Sequence, residues 1–368
     1  MRIVDVKSYI VGNPPPHRGG LNWVFLKLVT DEGIEGWGEC PSPWLREHTC
    51  AQFIQELSKR FVIGQDPFDV ERIWESLYKT RDPHVCHHFQ HPEILTGQVI
   101  GAYEVACWDI VGKALNQPIY RLLGGKRNEK LRAYTYLYDW GPGEPPEQAG
   151  PAARRLVEQG FTLFKLDPLP PYSPQPREIS LKELEYADAV FKSLRDAIGG
   201  ECDIGCGTHG QFTTHSAIRL AKILEKYDVL WFEEPVPAEN VDEMARVARH
   251  TSVPIATGER LATKWDFRLL LEKQAAQILQ IVVGQNGILE SKKIAGMAEA
   301  HYAQIAPWMH CGPVNAAANI QLDVTAPNFL AQEGIETMGG LHAEILEEPI
   351  RIETVSYTHL TLPTKRIV

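Results

Sequence analysis

The stretch Val229-Leu230-Trp231-Phe232-Glu233-Glu234-Pro235 and its counterpart Val253-Pro254-Ile255-Ala256-Thr257-Gly258-Glu259-Arg260 decide the fold of this chain. In each stretch a short apolar run leads into a carboxylate, and the second stretch comes one strand–helix unit after the first. Carboxylates at the ends of successive parallel strands meet at one rim of a barrel, where (β/α)₈ enzymes carry their active sites. Interaction with a helix dipole would explain either glutamate alone, but the repeated placement favours a shared site for a hard cation such as Mg²⁺.

The chain beyond residue 130 repeats this pattern of short apolar runs separated by amphipathic helices. Strands are predicted at residues 131–137, 162–166, 202–206, 229–232, 254–256, 277–281, 304–306 and 328–330. A repeated strand–helix unit makes a parallel sheet with right-handed crossovers, and eight units favour a closed barrel over an open sheet. No G-x-G-x-x-G motif follows a strand, so a dinucleotide-binding fold has no support.

The first 125 or so residues have a different order of elements. Strands are predicted at residues 2–11, 23–30 and 34–39, and helices at about 48–61, 69–79 and 96–115. Strands followed by helices are typical of an α+β domain. We therefore predict an α+β domain over residues 1–126, a barrel over 127–340, and a C-terminal return segment over 341–368 that is not native from about residue 355.

The composition limits the classes of function. The 368 residues suffice for one large barrel and a smaller domain, and 44% of them are hydrophobic, enough for a full core. A net charge of −10 argues against nucleic acid or an anionic membrane as the partner. An anionic substrate stays possible, because a bound metal ion can invert the local field.

The cysteines and the N-terminus predict a cytoplasmic location. The seven cysteines show no regular C-x-x-C spacing, which is typical of reduced thiols in a cytoplasmic protein. The start, MRIVDVKSYIV, lacks the apolar core and cleavage site of a secretory signal. We also expect no apolar run of membrane-spanning length.

Two loops of the N-terminal domain stand out in the sequence. Residues 14–20 read Pro-Pro-Pro-His-Arg-Gly-Gly, and residues 81–91 contain four histidines, at positions 84, 87, 88 and 91. The histidine spacing fits no ordinary set of metal ligands. A loop that faces solvent or covers the substrate is the favoured interpretation, and the loops of this domain are candidates for a lid over the mouth of the barrel.

Eight short segments carry a resemblance to a known family: residues 36–39, 106–115, 120–125, 164–167, 208–210, 232–235, 258–260 and 293–300. In this order they resemble the enolase superfamily, in the mandelate racemase-like branch that includes the acid-sugar dehydratases of the galactonate type. The resemblance covers residues 1 to about 350, and its order of motifs is more specific than any motif alone.

This resemblance implies both a fold and a chemistry. The fold is an α+β capping domain on a (β/α)₇β barrel. The chemistry is removal of a proton alpha to a carboxylate, with Mg²⁺ stabilising the enediolate, because charge that develops on the carboxylate must be balanced. A second residue then reprotonates the intermediate or expels a leaving group. Family members commonly form homo-oligomers, so a homo-oligomer is expected here.

The metal ligands implied by the resemblance are only partly present. Glu233 and Glu259 match the carboxylates that follow the fourth and fifth strands. The position after the third strand is Gly207, so one expected ligand is missing. We hypothesise that Asp167, which ends the second strand on the same rim, supplies the missing oxygen. The alternative is that Asp167 caps the loop before Pro168.

The catalytic residues implied by the resemblance are also incomplete. His209 matches the general acid of the galactonate dehydratase type, and Lys165 matches a lysine that acts as a base or binds the substrate carboxylate. A His–Asp dyad is expected after the sixth and seventh strands, but Val282 and Trp308 stand there, and neither can take a proton. His310, two residues after Trp308, is a candidate for a relocated base, and Lys165 is the other candidate.

Two further residues complete the predicted site. Glu333 matches a glutamate that hydrogen-bonds the substrate carboxylate. Arg260 meets either a substrate group or a neighbouring carboxylate. The leading interpretation is Mg²⁺-dependent dehydration of a sugar acid. A racemase or cycloisomerase of the same superfamily is one alternative, and a catalytically impaired relative without the His–Asp dyad is another.

Overall fold

The computed structural model describes residues 1–41, 46–81, 88–90, 94–170, 175–350, 352–353 and 356–357. The N-terminal domain contains an antiparallel sheet with the strand order β1-β2-β3 and a small hairpin formed by β4 and β5. Its elements are β1 (Ile3–Gly12), β2 (Asn22–Thr30), β3 (Glu35–Cys40), α1 (Glu47–Leu57), α2 (Val70–Tyr78), β4 (Lys79–Arg81), β5 (His88–Gln90), α3 (Ile94–Leu115) and α4 (Ile119–Leu122).

Helix α3 packs against β3 at unusually short range. A Cβ at Gly36 or Gly38 would overlap the carbonyl oxygen of Ala106 or Ala102 on the helix. Helix α3 is also long and apolar enough to span a membrane by length and composition, contrary to expectation. Most of it is buried in the core of the domain, as in the central helix of a soluble protein.

The second domain is a parallel barrel of eight strands, as predicted. Neighbouring strands pair in parallel from β6 through β12, and β13 pairs with β6. The strands are β6 (Leu131–Tyr136), β7 (Leu163–Leu166), β8 (Asp203–Gly207), β9 (Trp231–Glu233), β10 (Ile255–Thr257), β11 (Ile278–Leu279), β12 (Gln304–Ile305) and β13 (Gln332–Gly334). Ile305 bridges Phe329 and accepts the N–H of Leu330, which joins β12 to the segment before β13.

Helices surround the barrel between the strands. Several begin at a side chain that caps the first turn, such as Ser180 before α6, which forms a reciprocal capping box with Glu183. The helices are α5 (Ala149–Glu158), α6 (Leu181–Ile198), α7 (Thr214–Lys226), α8 (Val241–Ala248), α9 (Thr263–Glu272), α10 (Val283–Asn286), α11 (Ile288–Ala300), α12 (Pro313–Asp323) and α13 (Leu341–Glu344).

The predicted eighth strand at residues 328–330 is wrong. The strand lies at Gln332–Gly334, and the earlier segment makes one isolated bridge. The Asn328 amide donates to the carbonyl oxygens of Ala295 and Ala303 and so ties the segment to neighbouring turns. The real strand is polar because its glutamate faces a polar site, which hid it from a search for apolar runs.

Two buried glutamates of the N-terminal domain cap helices of the barrel. Glu39 on β3 accepts the N–H groups of Gly312, Val314 and Asn315 at the start of α12. Glu104 on α3 accepts the N–H groups at the start of α11. Burial raises the pKa of each carboxyl to about 7, although these N–H groups lower it. The N-terminal domain thus completes barrel helices as well as covering them.

The C-terminal part is described only in pieces. Strands β14 (Ile352–Glu353) and β15 (Ser356–Tyr357) pair antiparallel, and β15 pairs antiparallel with β6. Most of the tail predicted not to be native lies outside the described residues, as do three of the four clustered histidines. Six of the seven cysteines lie in described residues, and these six are buried and free.

Candidate functional site

The centre of the barrel mouth is a buried cluster of one lysine and two glutamates. Lys165 Nζ on β7 lies 2.8 Å from Glu233 Oε1 on β9 and 2.9 Å from Glu333 Oε1 on β13. Burial would lower the pKa of Lys165, but the two carboxylates outweigh it and hold the pKa well above its usual value. The side chain is therefore an ammonium ion, held between a carboxylate on β9 and one on β13, the strand that pairs with β6.

Glu233 is oriented by donors on both of its oxygens. While Oε1 meets Lys165, Oε2 accepts Trp231 Nε1–H at 3.1 Å and Gln280 Nε2–H at 2.6 Å. Gly205 makes room for the indole, since a Cβ there would lie 2.6 Å from the Trp231 ring. These contacts fix the direction of the carboxylate before any ligand binds.

Asp167 and His209 form a second pair at the same rim. His209 Nδ1 lies 2.8 Å from Asp167 Oδ2, and His209 follows β8 in a left-handed backbone conformation with φ of 51°. Burial lowers the pKa of His209, but Asp167 outweighs it and raises the pKa to about 9. A Cβ at Gly207 would overlap Asp167 Oδ1. Asp167 therefore occupies the space that a side chain at 207 would need.

Arg260 joins two more carboxylates. Its Nε donates to Glu234 Oε2 at 2.9 Å, and its Nη2 lies 3.2 Å from Glu259 Oε1. Burial and the nearby Glu259 charge raise the pKa of Glu234 to about 8. Glu234 Oε1 and Glu259 Oε2 are buried and have no hydrogen-bond partner among the described residues. Arg260 thus forms the salt bridge foreseen as one of its two roles, and a role toward substrate stays a prediction.

His310 lies under the N-terminal domain. Its Nε2 accepts the backbone N–H of Gly19 at 3.2 Å, so the lone pair of that nitrogen points at the capping segment. Burial, followed by the charge of Lys165, lowers the pKa of His310 to about 4. The ring is therefore neutral at physiological pH. The Trp308 ring lies 6.4 Å from the His310 ring, and neither Trp308 nor the buried Val282 has a group that could take a proton.

The structure brings the predicted residues together as three groups. Lys165, Glu233 and Glu333 form one group, Asp167 and His209 the second, and Glu259 with Arg260 the third. The sequence interpretation missed Gln280, Trp231 and Glu234. Gln280 could have been found, because it is the one polar residue inside the apolar run 278–283 and lies on the strand that leads into the mouth.

The donor chemistry of the site fits a hard divalent cation. Glu259 offers a buried oxygen with no partner, Asp167 fills the side-chain space of Gly207, and Glu233 keeps acceptor capacity, because each carboxylate oxygen has two lone pairs. Oxygen donors are the ligands that Mg²⁺ prefers. Within the described parts of the chain no three potential ligands already converge on one point. Asp167, Glu233 and Glu259 would have to draw together around the ion.

A barrel with this capping domain and these carboxylates defines an enolase-type enzyme, and the comparisons with known proteins agree. Residues 18–124 match the mandelate racemase / muconate lactonizing enzyme N-terminal domain, and residues 148–365 match the enolase C-terminal domain-like family. The chain therefore belongs to the mandelate racemase/muconate lactonizing enzyme family of the enolase superfamily.

Individual relatives agree with this assignment. The D-galactonate dehydratase of Pectobacterium atrosepticum is 36% identical over 367 residues, which cover 97% of this chain and 88% of the relative. A solved structure from Labrenzia alexandrii, assigned to the same family, has a TM-score of 0.93 at 46% identity and covers 97% of this chain and 91% of that one. The mandelate racemase/muconate lactonizing enzyme from Jannaschia sp. CCS1 has a TM-score of 0.91 at 37% identity, with coverages of 97% and 92%.

Proposed function

We propose that this protein is a lyase that dehydrates a sugar acid, with Mg²⁺ as its cofactor. The observation that carries the proposal is the His209–Asp167 pair in the space left by Gly207. This pair supports the proposal because it combines a candidate proton donor and a candidate metal ligand at the rim that holds Lys165. The 36% identical relative named D-galactonate dehydratase supports the same class of reaction.

The substrate carboxylate is bound beside Lys165. Lys165 already donates to two carboxylates, so part of the positive charge that an incoming carboxylate needs would come from a bound metal ion. Asp167, Glu233 and Glu259 would hold Mg²⁺. When bound, this ion supplies Lewis-acid stabilisation of the negative charge that develops on the substrate carboxylate.

Proton transfer is assigned to the two histidines. His310 removes the alpha proton, because its ring is neutral while Lys165 is held as an ammonium ion by two carboxylates. The proton binds to His310 Nε2. The hydrogen bond that this nitrogen accepts from Gly19 N–H is broken at the same time. The C–O bond at the beta carbon then breaks, and the hydroxyl leaves as water with the proton of His209. The resulting enol becomes a 2-keto-3-deoxy acid.

The test separates proton removal from loss of water. Sugar acids are incubated with the protein in deuterated buffer containing Mg²⁺, and NMR follows alpha-proton exchange while a carbonyl reagent detects the keto acid. His209→Asn is expected to lower keto-acid formation at least a hundredfold while alpha-proton exchange persists. His310→Asn is expected to lower both. His301→Asn, an exposed histidine directly after α11, is the matched control.

Two results would contradict these assignments. Full dehydration by His209→Asn would remove its role as the acid. Full activity in both His310→Asn and Lys165→Met would remove both candidate bases.

A catalytically impaired, ligand-binding relative is the second candidate function, and it rests on Val282 and Trp308. These residues stand where the related dehydratases carry a His–Asp dyad. Binding of sugar acids without exchange or keto-acid formation would favour this alternative. Exchange or inversion at the alpha carbon without loss of water would instead favour a racemase. We further propose that the protein is a cytoplasmic homo-oligomer and that it binds neither nucleic acid nor membrane.

A further inference from the structure

One ion pair spans the mouth between the two domains. Arg18, in the N-terminal segment 13–20, contacts the Glu336 carboxylate on the loop after β13. The Arg18 guanidinium also lies over the Tyr138 ring, 4.3 Å from its centroid. About a quarter of the arginine side chain and half of the glutamate side chain are exposed, so solutes can reach both.

Both partners are held in place by backbone contacts. Asn13 Nδ2 donates to the carbonyl oxygens of Arg18, at 2.8 Å, and of Gly20, at 2.7 Å, which closes the segment into a loop. Glu336 has a left-handed backbone with φ of 47°, and its N–H donates to Thr135 Oγ1 at 3.2 Å. A non-glycine residue keeps such a conformation only where its surroundings impose it. The pair is therefore preorganised.

The pair lies next to the proposed catalytic centre. Gly19, the neighbour of Arg18, donates to His310. The Tyr138 ring beneath Arg18 lies 5.7 Å from the Tyr136 ring, and Lys165 Nζ lies 5.7 Å from the Tyr136 ring centroid. The two tyrosines thus connect the site of Lys165 to the Arg18–Glu336 pair.

Open space surrounds the pair. A cavity of about 260 Å³ is lined by Arg18 and Glu336 together with the proline run of segment 13–20. A second cavity of about 270 Å³ is lined by Tyr136, Tyr138 and, again, Glu336. The glutamate is common to both cavities. Because Tyr136 lines the second cavity and its ring centroid lies 5.7 Å from Lys165 Nζ, we expect a chain of hydroxylated carbons bound at Lys165 to extend towards this pair.

We infer that the Arg18–Glu336 pair binds the hydroxylated far end of the sugar acid and selects acids with one carboxylate over diacids. This inference rests on the proposed function and names the substrate class of that site. A guanidinium paired with a carboxylate offers donors and acceptors to hydroxyl groups but no net charge. A second carboxylate at this end would lie beside Glu336 and be repelled, although an unpaired arginine would bind it well.

The test changes the charge of the subsite while leaving the catalytic groups in place. We compare kcat/KM for a six-carbon aldonate and for the aldarate of the same configuration. The wild-type protein is expected to prefer the aldonate. Glu336→Gln frees the Arg18 charge and is expected to shift the ratio at least tenfold toward the aldarate. The double variant with Arg18→Gln is expected to lose this shift, and Glu347→Gln, an exposed glutamate, is the matched control.

The outcomes separate this inference from the proposed function. An unchanged ratio in Glu336→Gln, with aldonate turnover preserved, overturns the inference and leaves the dehydratase intact. A wild-type preference for the aldarate does the same. If the wild-type protein neither converts sugar acids nor binds them in calorimetric titrations, the proposed function fails and the inference fails with it.

Discussion

At the scale of single residues, the Asp167 carboxylate occupies the space that a side chain at position 207 would need. Gly207→Ala would place a Cβ on Asp167 Oδ1 and push the carboxylate away from His209. We expect the pKa of His209, about 9 in the wild-type protein, to fall in this variant, and to fall towards 6.5 in Asp167→Asn. NMR titration of the metal-free protein measures both values. Gly296→Ala is the control, because a Cβ there meets nothing within 4 Å. An unchanged pKa in Gly207→Ala would show that Asp167 moves without releasing His209.

Because Asp167 takes the place of a ligand at position 207, we predict that it binds Mg²⁺ together with Glu233 and Glu259. Calorimetric titration of Mg²⁺ is expected to show binding that weakens at least tenfold in Glu233→Gln, in Glu259→Gln and in Asp167→Asn, because each change removes a negatively charged oxygen donor. Glu185→Gln, an exposed glutamate on α6, should bind as the wild type does. If Asp167→Asn bound Mg²⁺ normally, Asp167 would be only the partner of His209. If a folded wild-type protein bound no Mg²⁺, the metal-dependent dehydratase would be ruled out.

Some residues of the site could be found in the sequence, and others could not, for physical reasons. Glu233 and Glu259 follow apolar runs at a regular interval, so their shared rim follows from the pattern. The Lys165–Glu333 contact joins β7 to β13 and exists only because the barrel closes. The contact of Arg18 could not be predicted from the sequence for a similar reason, since its partner Glu336 belongs to the other domain and lies near the opposite end of the chain.

At the scale of elements, Glu39 on β3 of the N-terminal sheet stabilises the start of helix α12 of the barrel. Glu39→Ala would leave three buried N–H groups at the start of α12 without an acceptor. We expect a loss of about 3 kcal/mol in the free energy of unfolding, measured by urea denaturation. Glu185→Ala should change it by less than about 0.5 kcal/mol. A loss as small as that control's would mean that water replaces the carboxylate at this helix.

The stability that Glu39 contributes at the start of α12 depends on pH, and the sign of this dependence follows from its pKa. Because the pKa of Glu39 is raised from 4.5 to about 7, its stabilising contribution is present below pH 4.5 and is lost as the pH rises through 7. Glu39→Gln imitates the protonated form. Its deficit in stability relative to wild type should therefore shrink between pH 5 and pH 8.

The elements themselves were predictable where their side chains pack against apolar surface. Strands β2 and β6 lie within one residue of their predicted bounds, because period and burial agree. Strand β13 was missed because its register is set by pairing with β6 and its side chains point at a polar site. Long-range pairing, which local pattern does not encode, determined that strand.

At the scale of the whole molecule, His310 connects protonation to the contact between the domains. Its folded-state pKa of about 4 lies below the usual 6.5, since burial and the nearby Lys165, His342 and His209 disfavour the charged ring. Its contribution to stability is therefore present above pH 6.5 and is lost as the pH falls through 4. A protonated Nε2 also cannot accept the Gly19 N–H, so acid should loosen segment 13–20 from the barrel.

This acid sensitivity is tested by following the urea midpoint from pH 7 to pH 4. Glutamine at 310 keeps an acceptor but cannot titrate, so His310→Gln should lose less stability over this range than the wild type. His301→Gln, at an exposed position, should follow the wild-type curve. Limited proteolysis at pH 4 should cut segment 13–20 faster in the wild type than in His310→Gln, which assigns the effect to the domain contact. Equal acid sensitivity in all three proteins would place the responsible groups elsewhere and leave the Gly19–His310 bond without a role in holding the domains together.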